Sequence, residues 1–301
     1  MVNQLNQLEQ SLAAGNFSIT AELVPPLSTD ADAVLAEAGS LGEKVEAINV
    51  TDGAAAKTSM SSFAAASILS SNGIEPVLQL TCRDRNRIAL CADLIGAAAF
   101  GISNLLPLTG DDPAKGDQPE AKAVHDIDSV GLMRLAGDME HKAALPNGRE
   151  IIRPPHFFIG CADVPRRFEK DDLHPALRAK TDAGARFVQT QLCYDLDLVK
   201  GYIEDLAQRD LLERAGILIG LGPIASAKSA RWMKENLWGV AMPDEIIERL
   251  EKSSKPKEEG RQICVELMQG LNEIEGVSGV HLMAPGQSIN AIADVLELYH
   301  S

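Results

Sequence analysis

Short apolar runs alternate along the chain with longer stretches in which apolar residues recur at helical spacing. The short runs have no helical period, and each ends in polar or turn-forming residues, which is typical of buried strands. Eight such runs predict strands, over residues 18–23, 46–51, 75–81, 104–108, 156–161, 186–191, 216–221 and 277–283.

Amphipathic segments with helical periodicity lie between these strands. Asp30, Asp195 and Asp244 stand where helix N-caps are expected, and several glycines stand where helices end: Gly39, Gly73, Gly101 and Gly184. The predicted helices cover residues 30–38, 60–72, 87–100, 128–140, 173–183, 196–209, 226–236, 244–252 and 258–275.

Eight strands with intervening helices predict an α/β protein, a (β/α)8 barrel forming one domain over residues 1–301. A doubly wound sheet is the alternative, but no G-x-G-x-x-G follows the first strand. The segment 113–154 is longer than a usual connection after a strand. We therefore expect an extended loop and helix insertion after strand 4, as a lid or flank at the catalytic end.

Composition and charge narrow the possible partners. The formal charge of −15 argues against binding nucleic acid through its phosphates, although a local pocket can still be positive. The amino terminus has no signal-peptide pattern, and no apolar run approaches a membrane span. The five cysteines form no C-x-x-C pair and the six histidines no H-x-x-x-H pair. We therefore expect a cytoplasmic protein without a metal site.

Polar side chains follow the predicted strands, where a barrel gathers them at one face. Two carboxylates, two amides and three hydroxyls would share that mouth, which is too much polarity for a packed core. The residues at these strand ends are Glu22, Thr51, Gln79, Thr81, Thr109, Asp111, Cys161, Gln191, Gly222, Pro223, Met283 and Ala284. A binding cleft is the simplest explanation.

Glu22 interrupts an otherwise apolar run, Ile-Thr-Ala-Glu-Leu-Val at 19–24. Apolar surroundings disfavour the ionised carboxylate and raise its pKa, which is how a carboxyl becomes a general acid near neutral pH. The alternative is that Glu22 points outward to solvent, but helices cover the outer face of a barrel strand.

Three further features each allow two interpretations. The sequence Thr-Gly-Asp-Asp-Pro at 109–113 is an active-site loop or a turn, and only one of its adjacent aspartates is expected to face the cleft. The amide of Gln191 suits the edge of a heterocycle or a bond to a loop. The basic cluster at 81–87 either steers an anion or locks the loop through Arg–Asp pairs.

These residues together resemble the methylenetetrahydrofolate reductase family, over nearly the whole chain. The segments that carry the resemblance are 21–26 (Ala-Glu-Leu-Val-Pro-Pro), 50–53 (Val-Thr-Asp-Gly), 80–86 (Leu-Thr-Cys-Arg-Asp-Arg-Asn), 108–113 (Leu-Thr-Gly-Asp-Asp-Pro), 182–185 (Asp-Ala-Gly-Ala), 190–191 (Thr-Gln), 243–246 (Pro-Asp-Glu-Ile) and 279–283 (Gly-Val-His-Leu-Met).

The resemblance implies a barrel that holds FAD at its strand ends and reduces 5,10-methylenetetrahydrofolate to 5-methyltetrahydrofolate with NADH or NADPH. It implies that Glu22 is the general acid and that Asp111 lies beside flavin and pterin. It places substrate contacts at Gln191, Met283 and Gln287. It places cofactor contacts at Thr51, Gln79, Thr109, Gly110, Asp111, His125 and Lys180. It also implies a homo-oligomer and, because the chain ends just after the barrel, no inhibition by S-adenosylmethionine.

The chain departs from the family pattern at several of these positions. Gln79 replaces a histidine that contacts flavin in many members, Met283 and Gln287 replace a Tyr and an Arg, and Ala227 stands where some place an aromatic. The segment 161–165 is also unusual. Since some members work without flavin, direct hydride transfer is an alternative. A folate-binding or partner-dependent subunit and a pterin-binding methyltransferase are the others.

Overall fold

Eight parallel strands close into a barrel in chain order, with β1 paired to both β2 and β8. The computed structural model describes residues 5–169 and 171–301. The strands are β1 (Ser18–Leu23), β2 (Ala47–Val50), β3 (Pro76–Thr81), β4 (Asn104–Leu108), β5 (Phe158–Asp163), β6 (Phe187–Leu192), β7 (Gly216–Leu221) and β8 (Gly279–Leu282). The predicted (β/α)8 barrel is confirmed.

Helices form the outer layer, and within the described ranges they are α1 (Gln7–Ala13), α2 (Ala31–Gly39), α3 (Ser62–Ser71), α4 (Arg87–Ala99), α5 (Ser129–Lys142), α6 (Pro175–Asp182), α7 (Leu196–Ala207), α8 (Ala227–Asn236), α9 (Asp244–Lys252), α10 (Pro256–Asn272) and α11 (Asn290–Tyr299). The sequence pattern did not predict α1 and α11. Every helix in the described residues is too short or too polar to cross a bilayer.

Several predicted boundaries differ from the structure by one to three residues, and two of the local differences have a visible reason. β5 begins at Phe158 rather than two residues earlier, because Glu140 engages His156 and the backbone N–H of Phe157. Asp244 is the first residue of α9 rather than its cap, and it pairs instead with Lys234 at 2.8 Å. Asp30 and Asp195 do cap α2 and α7, accepting bonds from the backbone N–H groups of residues 32 and 198.

Alternation along the strands separates two cores. On β1, Ile19, Ala21 and Leu23 pack outward against the helices. The inward side chains near the amino ends of the strands form an apolar plug, and Leu8 of α1 closes it from below. The strand residues of the plug are Ala47, Val77, Leu106, Phe158, Phe187 and Leu218. This plug fills the lower half of the barrel and leaves its carboxyl end to polar side chains.

The long connection between β4 and β5 divides into parts with different positions. Its first part reaches the loop after β2, where Asp117 accepts bonds from the backbone N–H and the hydroxyl of Thr58. Its helix, α5, packs on β4 with five buried side chains, among them Leu132 and Met139. The connection therefore flanks the carboxyl end with its loop and completes the outer layer with its helix.

Candidate active site

A cavity of about 860 Å³ opens at the carboxyl ends of the strands. Its wall combines apolar side chains such as Leu106, Leu108 and Val164 with polar groups from five strands and from the loop after β4. The predicted site residues that line it are Glu22, Gln79, Asp111, Lys180, Gln191 and Met283. A volume of this size fits a ring system of several fused rings.

Glu22 lies near the end of β1, on the inward face that it shares with Thr20. Its side chain is half-buried and lines the cavity. Within the described ranges, no side chain or backbone group forms a hydrogen bond to its carboxyl group. Burial raises the pKa of Glu22 to about 7. A carboxyl group with a pKa in this range can keep its proton near neutral pH, as a general acid requires.

Asp111 follows β4 on an exposed loop, where its Oδ2 accepts a bond from the backbone N–H of Ala55 at 2.9 Å. Gly110 takes a left-handed φ of 93°, and a Cβ there would lie 2.7 Å from Cβ of Arg83. Only glycine fits this turn without strain. Asp112 points away and caps the following short turn at the backbone N–H of Ala114. As expected, the two aspartates point differently, and Asp111 is the one that lines the cavity.

Gln191 ends β6 at the cavity wall, and its amide is already engaged. Nε2 donates to the backbone carbonyl of Trp238 at 3.1 Å, and Oε1 accepts from the backbone N–H of Leu192 at 2.9 Å. A ligand could still reach its remaining amide proton. The bond also holds Trp238, which is 82% exposed at the rim of the cavity, a residue that the sequence did not indicate.

Gln79 and Lys180 reach the cavity from a strand and from a helix. The Gln79 side chain is buried on β3, and Lys180 reaches in from α6 to donate from Nζ to the backbone carbonyl of Ala162 at 2.5 Å. Both could hold polar atoms of a cofactor. Their assignment as cofactor contacts stays a prediction.

The other predicted positions lie outside the cavity lining, as far as the described residues define it: Thr51, Thr109, Gly110, His125 and Gln287. Thr51 is 2% exposed, and its hydroxyl has no partner among the described residues. Thr109 and His125 are exposed, and Gln287 donates to the backbone carbonyl of Pro223 at 2.8 Å. The structure therefore brings six of the predicted residues together at the cavity and leaves these five outside the cavity lining.

The basic cluster at 81–87 is neutralised by carboxylates. Arg83 pairs with Asp84 at 2.7 Å, Arg85 with Asp52 at 2.6 Å, and Arg87 with Asp126 at 2.8 Å. Asp52 also accepts bonds from the backbone N–H and hydroxyl of Thr81. Of the two interpretations of this cluster, the structure supports the one in which Arg–Asp pairs lock the loop.

Two polar groups at the cavity were not singled out from the sequence. Asp163 accepts bonds from the Tyr202 hydroxyl at 2.6 Å and from His174 Nε2 at 2.8 Å, which fixes the start of α6 and hence Lys180. His281 lines the floor of the cavity, where its ring bonds to Thr20. The two-residue spacing from His281 to Met283 could have indicated that both face inward.

A closed (β/α)8 barrel with a polar cavity at the carboxyl ends of its strands is the arrangement in which TIM barrels hold their active sites. The family model described as methylenetetrahydrofolate reductase matches residues 7–298, so the chain belongs to the methylenetetrahydrofolate reductase family. The resemblance inferred from the sequence is thereby confirmed.

Relatives with established names agree with this membership. The chain is 26% identical over 234 residues to a probable methylenetetrahydrofolate reductase (NADPH) of Caenorhabditis elegans, covering 75% of this chain and 32% of that protein. It is 28% identical over 203 residues to a 5,10-methylenetetrahydrofolate reductase of Pectobacterium carotovorum subsp. carotovorum, covering 65% and 61%. The chain thus spans about a third of the length of its eukaryotic relatives.

Among solved structures, an uncharacterised protein from Clostridium thermocellum has the same fold. It superposes with a TM-score of 0.66 at 14% identity, covering 98% of this chain and 99% of that one. That protein binds two copies of 5-methyl-5,6,7,8-tetrahydrofolic acid.

Proposed function

We propose that this chain reduces 5,10-methylenetetrahydrofolate to 5-methyltetrahydrofolate with NADH or NADPH, in the cavity around Glu22. The observation that carries the proposal is the cavity-lining carboxyl of Glu22, whose pKa burial raises to about 7. Family membership supports the substrate. Binding of the proposed product by the similarly folded Clostridium thermocellum protein is consistent with it.

Glu22 would supply the proton that opens the imidazolidine ring of the folate. The proton passes from the Glu22 carboxyl to a ring nitrogen, one carbon–nitrogen bond breaks, and a 5-iminium ion is left to accept hydride. Asp111 offers a carboxylate at the rim for the pterin, and Gln191 at the end of β6 offers an amide proton. The apolar side chains of the wall would keep water from the reactive iminium.

FAD is the proposed hydride carrier, and the cavity fits its ring better than its phosphates. Gln79, Asp111 and Lys180 line the cavity where the ring system would lie, and the unpartnered hydroxyl of Thr51 is a further candidate contact. In such a site a flavin supplies two-electron transfer between nicotinamide and folate, while the protein supplies orientation and charge.

Direct hydride transfer from nicotinamide to folate is the second candidate, because it needs a site for one diphosphate, that of the nicotinamide dinucleotide, whereas the flavin form needs sites for two. Arg83, Arg85 and Arg87 are each bound to a carboxylate, and Arg166 at the cavity wall is paired with Asp172 at 2.7 Å. Lys180 lines the cavity and bonds to a backbone carbonyl rather than to a carboxylate, so it can serve one diphosphate, whereas a second diphosphate would have to displace one of these carboxylates.

The visible spectrum and the reductase assay together test both forms. A yellow protein that NADH bleaches and methylenetetrahydrofolate recolours would support the flavin form. A colourless protein with full activity would leave the reductase but replace FAD by direct transfer. If neither NADH nor NADPH supports turnover although folate binds, the chain is a folate-binding or partner-dependent subunit, and the proposal fails.

A further inference from the structure

Four buried polar side chains form one hydrogen-bonded network beneath the cavity. Thr20 on β1, Asn49 on β2, Gln189 on β6 and His281 on β8 are each at most 3% exposed. They lie directly above the apolar plug of the barrel. Polar groups this deeply buried are costly unless each is bonded, so their arrangement is tightly constrained.

The amides of Asn49 and Gln189 pair reciprocally across the barrel. Asn49 Nδ2 donates to Gln189 Oε1 at 2.6 Å, and Gln189 Nε2 donates back to Asn49 Oδ1 at 2.9 Å. The second proton of Gln189 Nε2 goes to the hydroxyl oxygen of Thr20 at 3.0 Å. Gln189 therefore uses its acceptor oxygen and both of its amide protons within the network.

This pairing favours one direction for the Thr20 hydroxyl. Its oxygen accepts from Gln189, and among the described side chains the acceptor left for its single proton is His281 Nδ1, which lies 2.9 Å away. A ring nitrogen that accepts a bond carries no proton, so the proton of the neutral imidazole sits on Nε2.

The other ring nitrogen is left for the cavity. His281 lines the cavity floor, and in the described part of the chain no group bonds to its Nε2. Glu22 stands two residues beyond Thr20 on the same face of β1, and Thr20 is the register partner of His281. Burial lowers the pKa of His281 to about 3, so the ring stays neutral beneath Glu22.

We propose that His281 is a neutral hydrogen-bond donor, held in its Nε2–H tautomer by Thr20, Gln189 and Asn49, for an acceptor atom of the bound heterocycle. The ligand class rests on the proposed function, because a pterin carries ring nitrogens and a carbonyl oxygen that accept such a bond. A neutral donor orients the ring without competing with Glu22 for the proton of the reaction.

Selective ¹⁵N labelling of histidine tests the tautomer in the wild-type protein and without an activity assay, with a variant used for signal assignment alone. Long-range proton–nitrogen spectra of the intact protein, with the His281 signals assigned by His281→Gln, should show Nε2 protonated and Nδ1 bare from about pH 5 to about pH 8. A proton on Nδ1, which the opposite orientation of both amides would produce, overturns the proposal. Addition of 5-methyltetrahydrofolate should shift the Nε2–H signal, and an unmoved signal in the bound protein also overturns it.

Two isosteric replacements test the donor itself. The glutamine amide of His281→Gln reaches the place of Nε2, whereas the asparagine amide of His281→Asn reaches only that of Nδ1. We expect His281→Gln to bind 5-methyltetrahydrofolate nearly as tightly as the wild type, and His281→Asn to lose about tenfold in affinity, the value of one hydrogen bond. Equal losses in the two variants would assign His281 a packing role.

The outcomes separate this inference from the proposed function. A protein without reductase activity whose Nε2–H signal shifts on binding 5-methyltetrahydrofolate would remove only the reductase. An active reductase with the proton on Nδ1 would remove only the role of His281.

Discussion

Asp111 and Ala55 join two loops across the mouth of the barrel, with the carboxylate Oδ2 accepting from the backbone N–H at 2.9 Å. The contact ties the loop after β4 to the turn after β2. Glu22, in the same cavity, has no such anchor among the described residues, and burial raises its pKa to about 7. The two carboxyl groups therefore have different environments, which is consistent with the proposed roles of Asp111 as a fixed acceptor at the rim and of Glu22 as a proton donor.

Replacing Asp111 by Asn should weaken folate binding and slow folate reduction by about tenfold or more, as expected for the loss of a charged hydrogen-bond acceptor. The asparagine oxygen can keep the bond to Ala55, so the loop should stay in place. Measurement of KM and kcat for the folate checks this. Asp112→Asn is the matched control, since it changes charge at the next position, where the side chain only caps a turn. Equal effects of the two variants would contradict the role given to Asp111.

Glu22→Gln should lower the rate of folate reduction by about 10²- to 10⁴-fold, because the amide cannot donate the ring-opening proton. Cofactor binding and the oxidation of NADH should survive the change. In the wild type, the rate of folate reduction should fall tenfold per pH unit above about pH 7, as the carboxyl loses its proton. Stopped-flow measurement of the folate half-reaction across pH checks both points. Normal turnover by Glu22→Gln would end the general-acid assignment.

The same substitution should also change the free energy of unfolding, by an amount that depends on pH. The pKa of Glu22 is raised from 4.5 to about 7 on folding, so the folded state holds the proton more tightly and loses stability as the pH rises between these values. Glutamine does not ionise and avoids this loss. Urea unfolding should therefore show Glu22→Gln gaining on the wild type from about pH 4.5 to about pH 7, with a constant difference at higher pH. A difference that does not grow with pH would mean that Glu22 is not buried as a neutral acid.

The barrel could be predicted from the sequence because each strand is a short apolar run that ends in polar residues. The inward position of Glu22 also followed, since helices cover the outer face of its strand. The network of Thr20, Asn49, Gln189 and His281 could not be predicted, because it depends on which strands face each other across the closed barrel. The seven-residue α1 was missed because only Leu8 and Leu12 mark its apolar face. The helix α11 was missed although its sequence does carry a helical pattern.

His156 should make the stability of the amino-terminal end depend on pH. Its ring bonds to Glu9 at 3.0 Å and to Glu140 at 2.7 Å. Burial lowers the pKa of His156, but the bonds to the two carboxylates outweigh it, and the pKa is raised above 6.5. The stabilisation is thus full below about pH 6.5 and is lost as the pH rises through the raised pKa.

His156→Gln should accordingly cost about 1–3 kcal/mol near pH 5.5 and much less near pH 9. Urea unfolding at the two pH values measures this, with His141→Gln on the exposed side of α5 as the control. A loss that is the same at both pH values would show that the ring acts through packing alone.

The apolar plug predicts a sharp steric limit at Gly160. The rings of Phe158 and Phe187 stack with centroids 5.1 Å apart, and a Cβ on Gly160 would overlap the Phe187 ring. Because Phe187 is fully buried, its ring cannot swing out to solvent. Gly160→Ala should therefore destabilise the fold by about 1–3 kcal/mol, as overpacking does. Gly137→Ala on α5, where a Cβ meets nothing closer than 4.0 Å, should instead stabilise the fold by about 0.5–1 kcal/mol.

A double-mutant cycle tests whether Gly160 and Phe187 limit each other. The double variant Gly160→Ala/Phe187→Leu should lose less unfolding free energy than the sum of the losses in the two single variants, because the smaller leucine side chain vacates the overlapped space. Strict additivity in this double-mutant cycle of unfolding free energies would show that Gly160 and Phe187 do not limit each other.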